Sequence, residues 1–203
     1  MKRVVIATRN RGKIRELQAL LEDLGVELVS VAEMEGVPEV VEDGATFLEN
    51  ARKKAVEVAR ATGLPAIADD SGLEVDALQG RPGIYSARYA GQGASDRDNY
   101  MKLLKELEGV PEEKRTARFR CVMVAALPDG TFIWTDGTCE GLIAEEPKGS
   151  QGFGYDPVFY LPDRGRTMAE ISKEEKNAIS HRGKAMRRLK EKLKDLLKGE
   201  SGN

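Results

Sequence analysis

Two adjacent aspartates, Asp69 and Asp70, are the residues whose types and position most clearly indicate chemistry. They follow an apolar run at residues 64–68 and precede Ser71 and Gly72. This order predicts a buried strand that delivers two carboxylates to the carboxyl end of an α/β sheet, where open sheets bind ligands. If they follow the alternation of a strand, they point to opposite faces, and one could bind a metal ion while the other braces the turn or acts as a base. The alternative is an acidic turn, because Asp, Ser and Gly are ordinary turn formers.

A polar loop near the amino terminus is a candidate for holding phosphate. It connects a predicted strand at residues 4–7 with an amphipathic helix that Gly25 ends as a C-cap. Backbone N–H groups at a helix start favour an anion, and a lysine adds positive charge. The loop lacks the glycine spacing of a Walker loop, so a plain polar connection remains the alternative. Its residues are Thr8, Arg9, Asn10, Arg11, Gly12 and Lys13.

An acidic, turn-rich stretch precedes a second predicted helix. Thr46 followed three residues later by Glu49 is a capping box, and Gly63 ends the helix. Glu49 is therefore expected to be structural, whereas Glu42 lies ahead of the helix and is available for another role. Lys54 lies on this helix, where a lysine is usually exposed to solvent.

A glycine-rich stretch at residues 149–157 carries two aromatic side chains and an acid. Glycines beside aromatics suit a loop whose backbone approaches a flat ligand while a ring stacks on it. The acid could accept hydrogen bonds from the edge of that ligand. The alternative is a connection whose aromatic side chains fill the core. The residues concerned are Phe153, Gly154, Tyr155 and Asp156.

Four potential cations lie close together immediately before the last predicted helix: Lys176, His181, Arg182 and Lys184. A run of charge is usually a solvated face. Its position at a helix start, beside the only histidine of the chain, strengthens the alternative of an anion site.

The remaining pattern of strands and helices predicts an α/β fold. Further strands are expected at residues 28–31, 117–127, 131–135 and 141–144, the second and third as an antiparallel hairpin, and another helix opens at Ser95. A loop at residues 80–89 could wrap a ligand or make a subunit contact. Residues 198–203 predict a frayed tail.

The composition is that of a globular protein without strong overall charge. The chain has 203 residues, which suits one domain, and a formal net charge of −2, which gives no general attraction to nucleic acid or an anionic membrane. Cys121 and Cys139 lack metal-ligand spacing and are expected to be reduced core residues. No signal peptide and no apolar run near the ~20 residues of a membrane span is found, so a cytoplasmic location is expected.

Six short motifs, taken together, resemble the inosine triphosphate pyrophosphatase family in its bacterial-type form. Each motif alone is weakly specific, but six in order along nearly the whole chain are highly specific. They are Thr8-x-Asn10-x-x-Lys13, Glu42 before Thr46-Phe47-x-Glu49-Asn50-Ala51, Ala68-Asp69-Asp70-Ser71-Gly72, Pro82-Gly83-x-Tyr85-Ser86, Phe153-Gly154-Tyr155-Asp156-Pro157, and Glu175-Lys176-Asn177-x-x-Ser180-His181-Arg182.

This resemblance implies a fold and an activity. The fold would be an elongated mixed β-sheet flanked by helices, with two lobes around a central active-site cleft, in a single domain over residues 1–203. The activity would be Mg²⁺-dependent hydrolysis of ITP, dITP and XTP between the α- and β-phosphates, which yields the monophosphate and pyrophosphate. The family also implies a homodimer.

The resemblance assigns roles in the phosphate chemistry. Asp70 and Glu42 would hold Mg²⁺, and Asp70 is also the proposed base, which orients or deprotonates the attacking water. Because one carboxylate does not obviously do both, Asp69 is a candidate to share these roles. The expected phosphate ligands are Lys13 and the backbone of residues 8–13, with Lys54, Lys176, Asn10 and Ser71.

Base selection is assigned to donors, because hypoxanthine and xanthine carry a carbonyl at C6 where adenine has an amine. His181 and Arg182 are suited to donate, together with backbone N–H groups near residues 153–156. Adenine would leave buried donors unpaired, at roughly 1–3 kcal/mol each.

Four alternatives are weighed against this assignment. A pyrophosphatase for modified pyrimidine nucleotides is disfavoured by the Ser-His-Arg and Phe-Gly-Tyr-Asp segments. A phosphatase with an aspartyl nucleophile would need Asp-x-Asp spacing, which is lacking here. A nucleotide-binding module without turnover is disfavoured by the intact Asp70 and Glu42. A nucleic-acid binder is the weakest option, given the balanced charge.

Overall fold

One mixed β-sheet with helices beside it organises the chain, as the sequence predicts. The computed structural model describes residues 2–199, with side chains through residue 196. In this part of the chain the strands lie in the order β2-β1-β3-β4-β5-β6-β7. The strands are β1 (Arg3–Ile6), β2 (Glu27–Ser30), β3 (Ala66–Val75), β4 (Thr116–Ala126), β5 (Phe132–Ile143), β6 (Phe159–Leu161) and β7 (Arg166–Thr167). The α-helices are α1 (Arg11–Leu21), α2 (Phe47–Thr62), α3 (Asp96–Glu106), α4 (Lys173–Ile179) and α5 (His181–Gly199).

Strand directions divide the sheet into two kinds of pairing. β1 pairs in parallel with β2 and with β3, as helical crossover connections require. β6 pairs antiparallel with β5 and with β7. The sheet is therefore mixed, and α1 and α2 follow the amino-terminal strands as in other α/β folds.

The helices begin and end at the residues that the local sequence indicates. Thr46 caps α2 by accepting the N–H of Glu49 at 3.1 Å. The Glu49 carboxylate accepts from Ala45 at 2.6 Å, one residue before the expected partner. Gly25, which follows a 3-10 turn after α1, and Gly63, which follows α2, both have the positive φ of a C-cap.

The strand that carries the two aspartates is longer than the sequence predicts. β3 continues through Asp69, Asp70 and Ser71 to Val75, so the alternative of an acidic turn is wrong. Side chains with turn propensity can remain in a buried strand when tertiary partners satisfy them. Those partners come from other elements, which a local reading of the sequence cannot supply.

Two other boundaries also differ from the prediction. The strands expected at residues 131–135 and 141–144 are one twelve-residue strand, β5, which continues through Gly137 and Gly141. The cations expected ahead of the last helix lie within helices: Lys176 on α4, and His181, Arg182 and Lys184 in the first turn of α5. The glycines do not interrupt β5, and the clustered charges do not keep the residues that carry them out of the helices. In both cases the tertiary structure outweighs the local preference.

The chain divides into two compact units, each with its own core. The first comprises residues up to 70, 121–137 and those from 182 onward, and the second comprises residues 71–120 and 138–181. Val4, Ile67 and Leu189 lie in the first core, and Leu73 and Phe159 lie in the second. The implied cleft between two lobes and the single domain over residues 1–203 stay predictions.

The remaining expectations concern cysteines, membrane spans and the tail. Cys121 and Cys139 are buried and not joined in a disulfide, as predicted. In the described part of the chain, no helix combines the length and the apolar character that crossing a membrane requires. Residues 198 and 199 of the expected tail continue α5, and residues 200–203 lie outside the described residues.

Candidate active site

Asp69 is the centre of a buried ion cluster in the first unit. Its Oδ2 atom lies 3.0 Å from Nζ of Lys13 and 3.1 Å from Nη2 of Arg182, and its side chain is completely buried. Burial alone would raise the pKa of the Asp69 carboxyl, but the charges of Lys13, Arg182 and Lys54 outweigh it and hold the pKa far below its usual value. Asp69 is therefore a fixed anion that orients two cations.

Arg182 is committed to two carboxylates. Besides Asp69, its guanidinium binds Glu16 Oε2 at 2.6 Å, and its side chain is 2% exposed. Burial opposes the charged form, yet Asp69 and Glu16 raise the pKa of Arg182 above its usual value. Sequence reasoning did not single out Glu16, because its only local signal is a polar residue on an amphipathic helix. The donor role towards a base that the resemblance assigns to Arg182 stays a prediction.

Asp70 lies next to Asp69 in β3 but meets different partners. Its Oδ2 atom accepts a hydrogen bond from Asn50 of α2 at 3.0 Å. Burial raises the pKa of Asp70, and the negative charge of Glu42 adds to this rise against the opposing charges of Lys54 and Lys13. The expectation that the two aspartates face different surroundings agrees with these contacts.

Lys54 is a buried cation among acidic groups. It forms an ion pair with Glu42 and donates a hydrogen bond to the backbone carbonyl of Asp69 at 2.7 Å. Burial disfavours its charge, but the surrounding carboxylates of Asp69, Asp70 and Glu42 raise the pKa of Lys54. The usual expectation for a helical lysine, exposure to solvent, is wrong here, because the acidic groups compensate the cost of burial.

The amino-terminal loop places Lys13 in the first turn of α1. Asn10 is the N-cap, and its side-chain oxygen accepts the N–H groups of Gly12 at 2.9 Å and Lys13 at 3.1 Å. The N–H of Asn10 donates to Thr8 Oγ1 at 3.2 Å, and Arg9 binds the carbonyl of Val37 at 3.0 Å. The loop is thus ordered by its own polar side chains, with the Lys13 ammonium directed to Asp69.

A second cluster lies wholly within the second unit. Lys176 of α4 binds Asp156 Oδ2 at 2.5 Å, and both side chains are buried. The same carboxylate oxygen accepts the N–H of Phe153 at 2.9 Å. The Lys176 ammonium also stands 4.6 Å from the ring centroid of Phe153, a cation–π distance.

Gly152 is required for this arrangement. Its φ is +76°, and a Cβ atom there would collide with the Asp156 carboxylate. The glycine therefore lets the Asp156–Lys176 pair pack directly under the loop backbone. The glycine-rich stretch is recognisable in the sequence, but this close approach depends on the tertiary structure.

Tyr155 and Gly154 tie the loop to other parts of the second unit. The Tyr155 hydroxyl donates to the carbonyl of Ser86 at 2.7 Å, and the Gly154 N–H donates to Asp96 Oδ2 at 2.7 Å. Burial raises the pKa of Tyr155, so its phenol stays protonated as a donor. The core alternative is confirmed for Tyr155, which is buried, whereas Phe153 is only half-buried. Sequence reasoning missed Asp96, which reads as an ordinary first-turn acid.

His181 is buried at the end of the second unit. Its ring stacks on Phe119, with centroids 4.7 Å apart and planes inclined by 16°. Ser71, another predicted ligand, lies in β3 directly after Asp70. Both residues keep the roles that the resemblance assigns to them as predictions.

The fit of a metal ion depends on Glu42 and Asp70. Over residues 2–199, no three His, Cys, Asp or Glu side chains come together as a ready-made metal site. Mg²⁺ nevertheless needs only one or two carboxylates when substrate phosphate and water complete its shell. Asp70 and Glu42 are hard oxygen donors whose charges act on each other, and a cation would relieve that repulsion. Asp69 fits less well, because Lys13 and Arg182 already compensate its charge.

Comparison with known proteins identifies the relatives of this chain. A family model described as the Ham1 family matches residues 4–192. A dITP/XTP pyrophosphatase of Geobacillus kaustophilus is 54% identical over 200 residues, which cover 98% of each chain. Another from Geobacter sulfurreducens is 54% identical over 193 residues, which cover 95% of this chain and 97% of the relative. The solved structure of a HAM1 protein from Coxiella burnetii superposes with a TM-score of 0.87 at 45% identity, covering 96% of this chain and 100% of that one.

Proposed function

We propose that this chain, which belongs to the Ham1 family, hydrolyses non-standard purine nucleoside triphosphates, namely ITP, dITP and XTP. The bond broken is the anhydride between the α- and β-phosphates, and the products are the monophosphate and pyrophosphate. The reaction removes these nucleotides from the cellular pool. Its relatives named dITP/XTP pyrophosphatase, at 54% identity over nearly the whole chain, support this substrate class.

The observation that carries the proposal is the buried cation–carboxylate cluster around β3. Lys13 and Lys54 are held by contacts within the protein, with Asp69, Glu42 and a backbone carbonyl. Cations fixed in advance stabilise the charge of a triphosphate without the cost of reorganisation during the reaction. The loop at residues 8–13 and Ser71 add hydrogen-bond donors to phosphate.

Asp70 is the group that acts on water in this proposal. Asn50 fixes its carboxylate at 3.0 Å, so one oxygen is oriented while the carboxylate can orient or deprotonate the nucleophile. Glu42 and Asp70 would hold Mg²⁺, which supplies charge neutralisation of the phosphates when bound. Asp69 contributes in this proposal by orienting Lys13 and Arg182.

The second cluster supports recognition of the base. Phe153, on a loop held by Asp156, offers a ring for stacking, and Lys176 nearby offers a donor. The N–H groups of Phe153 and Gly154 donate to the Asp156 and Asp96 carboxylates and serve to hold the loop. His181 and Arg182 are the proposed donors towards the C6 carbonyl of hypoxanthine or xanthine. Adenine presents an amine at this position, so it would leave donors unpaired.

A substrate panel tests the function directly. ITP, XTP, dITP, GTP and ATP are incubated with the protein with and without Mg²⁺, and the products are separated by chromatography. We expect metal-dependent release of IMP and pyrophosphate from ITP, with ATP and GTP nearly untouched. Release of IDP and phosphate would contradict the cleavage position, and tight ITP binding without turnover would indicate a nucleotide-binding module.

The assembly and location follow from the same proposal. We infer a homodimer, in keeping with the family, and a cytoplasmic location where the nucleotide pool is found. Light scattering of the purified protein distinguishes a dimer from the 22.3 kDa monomer.

A further inference from the structure

Asp96 makes a hydrogen bond that its own helix does not need. It is the first residue of α3, where Ser95 and Asp98 already form a complete capping box. The Ser95 hydroxyl accepts the N–H of Asp98 at 3.1 Å, and the Asp98 carboxylate accepts the N–H of Ser95 at 2.9 Å. The Asp96 carboxylate instead accepts the N–H of Gly154, 58 residues along the chain, at 2.7 Å.

This bond completes the fixation of a short loop. Two successive N–H groups, those of Phe153 and Gly154, end on two different carboxylates, Asp156 at 2.9 Å and Asp96 at 2.7 Å. Upstream, the N–H of Gln151 donates to a backbone carbonyl at 3.0 Å. The hydrogen bond to Asp96 therefore fixes the peptide group that joins Phe153 to Gly154. The half-buried ring of Phe153 belongs to the residue directly before this fixed N–H group.

A glycine-flanked loop needs such fixation more than other loops do. Gly152 and Gly154 have φ values of +76° and +63°, and glycine loses more conformational freedom on ordering than any other residue. If the loop ordered only on binding, that entropy would be subtracted from the affinity. Because a charge-assisted hydrogen bond holds the Gly154 N–H, the loop loses this conformational entropy during folding and not on binding.

We propose that Asp96 is a positioning residue of the base subsite, which fixes the Gly154 peptide so that Phe153 is pre-oriented to stack on the purine. The inference rests on the proposed function, because it takes the base to be the partner of Phe153. Asp96 acts through the loop and has no part in the phosphate chemistry. Its loss therefore weakens nucleotide binding without slowing the bond-breaking step.

The test compares Asp96→Ala with Asp98→Ala and Asp96→Asn. Asp98→Ala removes the capping box of the same helix but leaves the bond to Gly154, so it measures the effect of a weakened helix start alone. Asp96→Asn keeps a side-chain oxygen that can accept the Gly154 N–H. For each protein, kcat and KM for ITP, the inhibition constant of inorganic pyrophosphate, Tm and the hydrogen-exchange rate of the Gly154 amide are measured.

We expect Asp96→Ala to raise KM for ITP by about three- to tenfold, the effect of one lost hydrogen bond to a charged group at a partly exposed site. Its kcat and the inhibition constant of pyrophosphate stay within about twofold of wild type, and exchange of the Gly154 amide accelerates. Asp96→Asn keeps KM near wild type, and Asp98→Ala lowers Tm without changing KM.

Three results would overturn the inference: an unchanged KM in Asp96→Ala, an equal rise of KM in Asp98→Ala, or a parallel loss of pyrophosphate inhibition. Failure of the proposed function itself is seen separately, as absence of ITP turnover by the wild-type protein. In that event calorimetric titration with ITP makes the same comparison between variants, and equal affinities of wild type and Asp96→Ala would refute the positioning role.

Discussion

Adjacent aspartates on one strand differ in their electrostatic surroundings because their neighbours differ. Asp69 meets Lys13 and Arg182, which with Lys54 hold its pKa far below the usual value. Asp70 meets the neutral amide of Asn50, and burial together with the negative charge of Glu42 raises its pKa against the opposing charges of Lys54 and Lys13. A carboxylate surrounded by cations, like Asp69, is suited to orient those cations. A carboxylate with a raised pKa, like Asp70, is suited to bind water or a metal ion.

Asp70→Asn should abolish most of the activity and leave the fold intact. The amide oxygen can still accept the hydrogen bond of Asn50, but it cannot take a proton or hold a cation as a carboxylate does. We expect kcat for ITP to fall by roughly 10²- to 10⁴-fold with Tm unchanged. The control is Asp43→Asn, whose exposed carboxylate pairs with Lys53 and should keep wild-type kcat. Equal losses in both variants would contradict the assignment.

Asp69→Asn should instead destabilise the protein. The substitution leaves Lys13 and the buried guanidinium of Arg182 without their shared anion, so the free energy of unfolding in urea should drop by roughly 3–5 kcal/mol. The exposed pair of Arg118 and Asp76 is the comparison, because Asp76→Asn should cost less than about 1 kcal/mol. Wild-type stability of Asp69→Asn would show that the cluster does not stabilise the fold.

Elements matter because they bring these side chains together from distant parts of the chain. β3 supplies both aspartates, α2 supplies Asn50 and Lys54, and the first turn of α5 supplies Arg182. The second cluster is built likewise, by α4 and the loop before β6. The glycines of that loop do not all serve the same purpose, and this difference can be measured.

Gly152→Ala should damage nucleotide binding far more than Gly154→Ala. Both glycines have a positive φ, so both variants incur the strain of about 1–2 kcal/mol that a Cβ causes there. Only at Gly152 does the added Cβ also collide with Asp156, whereas at Gly154 it meets open space. We expect KM for ITP to rise at least about tenfold more in Gly152→Ala, measured with the same substrate assay. Similar KM values in the two variants would exclude the collision as the cause.

At the scale of the whole molecule, two compact units each carry one cluster. The first unit contains the ion cluster around Asp69 and its own apolar core, and the second contains the Asp156–Lys176 pair and another core. Stability also depends on hydrogen bonds outside the two clusters, such as the one that Tyr89 donates to Glu106.

Alkaline pH should reveal the contribution of Tyr89 to stability. Burial, with the hydrogen bond to Glu106, raises the pKa of Tyr89 to about 12, against about 10 in an unfolded chain. The stabilising effect of the Tyr89 hydroxyl is thus complete below pH 10 and is lost as the pH rises towards 12. The difference in Tm between wild type and Tyr89→Phe, followed by circular dichroism, should shrink over this range. A constant difference would contradict the shift.

Local sequence determined the parts of this protein that depend on local physics. The capping residues Thr46 and Ser95, the terminating glycines and the apolar period of the helices predicted α1, α2, α3 and the body of α5. The six motifs indicated the family, because short stretches around a reactive group must keep their chemistry. The residue types of the candidate site were predicted for the same reason.

Only the tertiary structure decided which of these residues act on which. That Asp69 lies inside a strand, that Lys54 is buried and that Arg182 binds Glu16 all depend on charges contributed by distant elements. The contact of Asp96 with Gly154 could not be predicted from the sequence, because an acid in the first turn of a helix is ordinary and its partner lies 58 residues away. Local propensities are worth about 1 kcal/mol per residue or less, whereas leaving a buried charge without its partner costs several kcal/mol, so long-range partners decide wherever charge is buried.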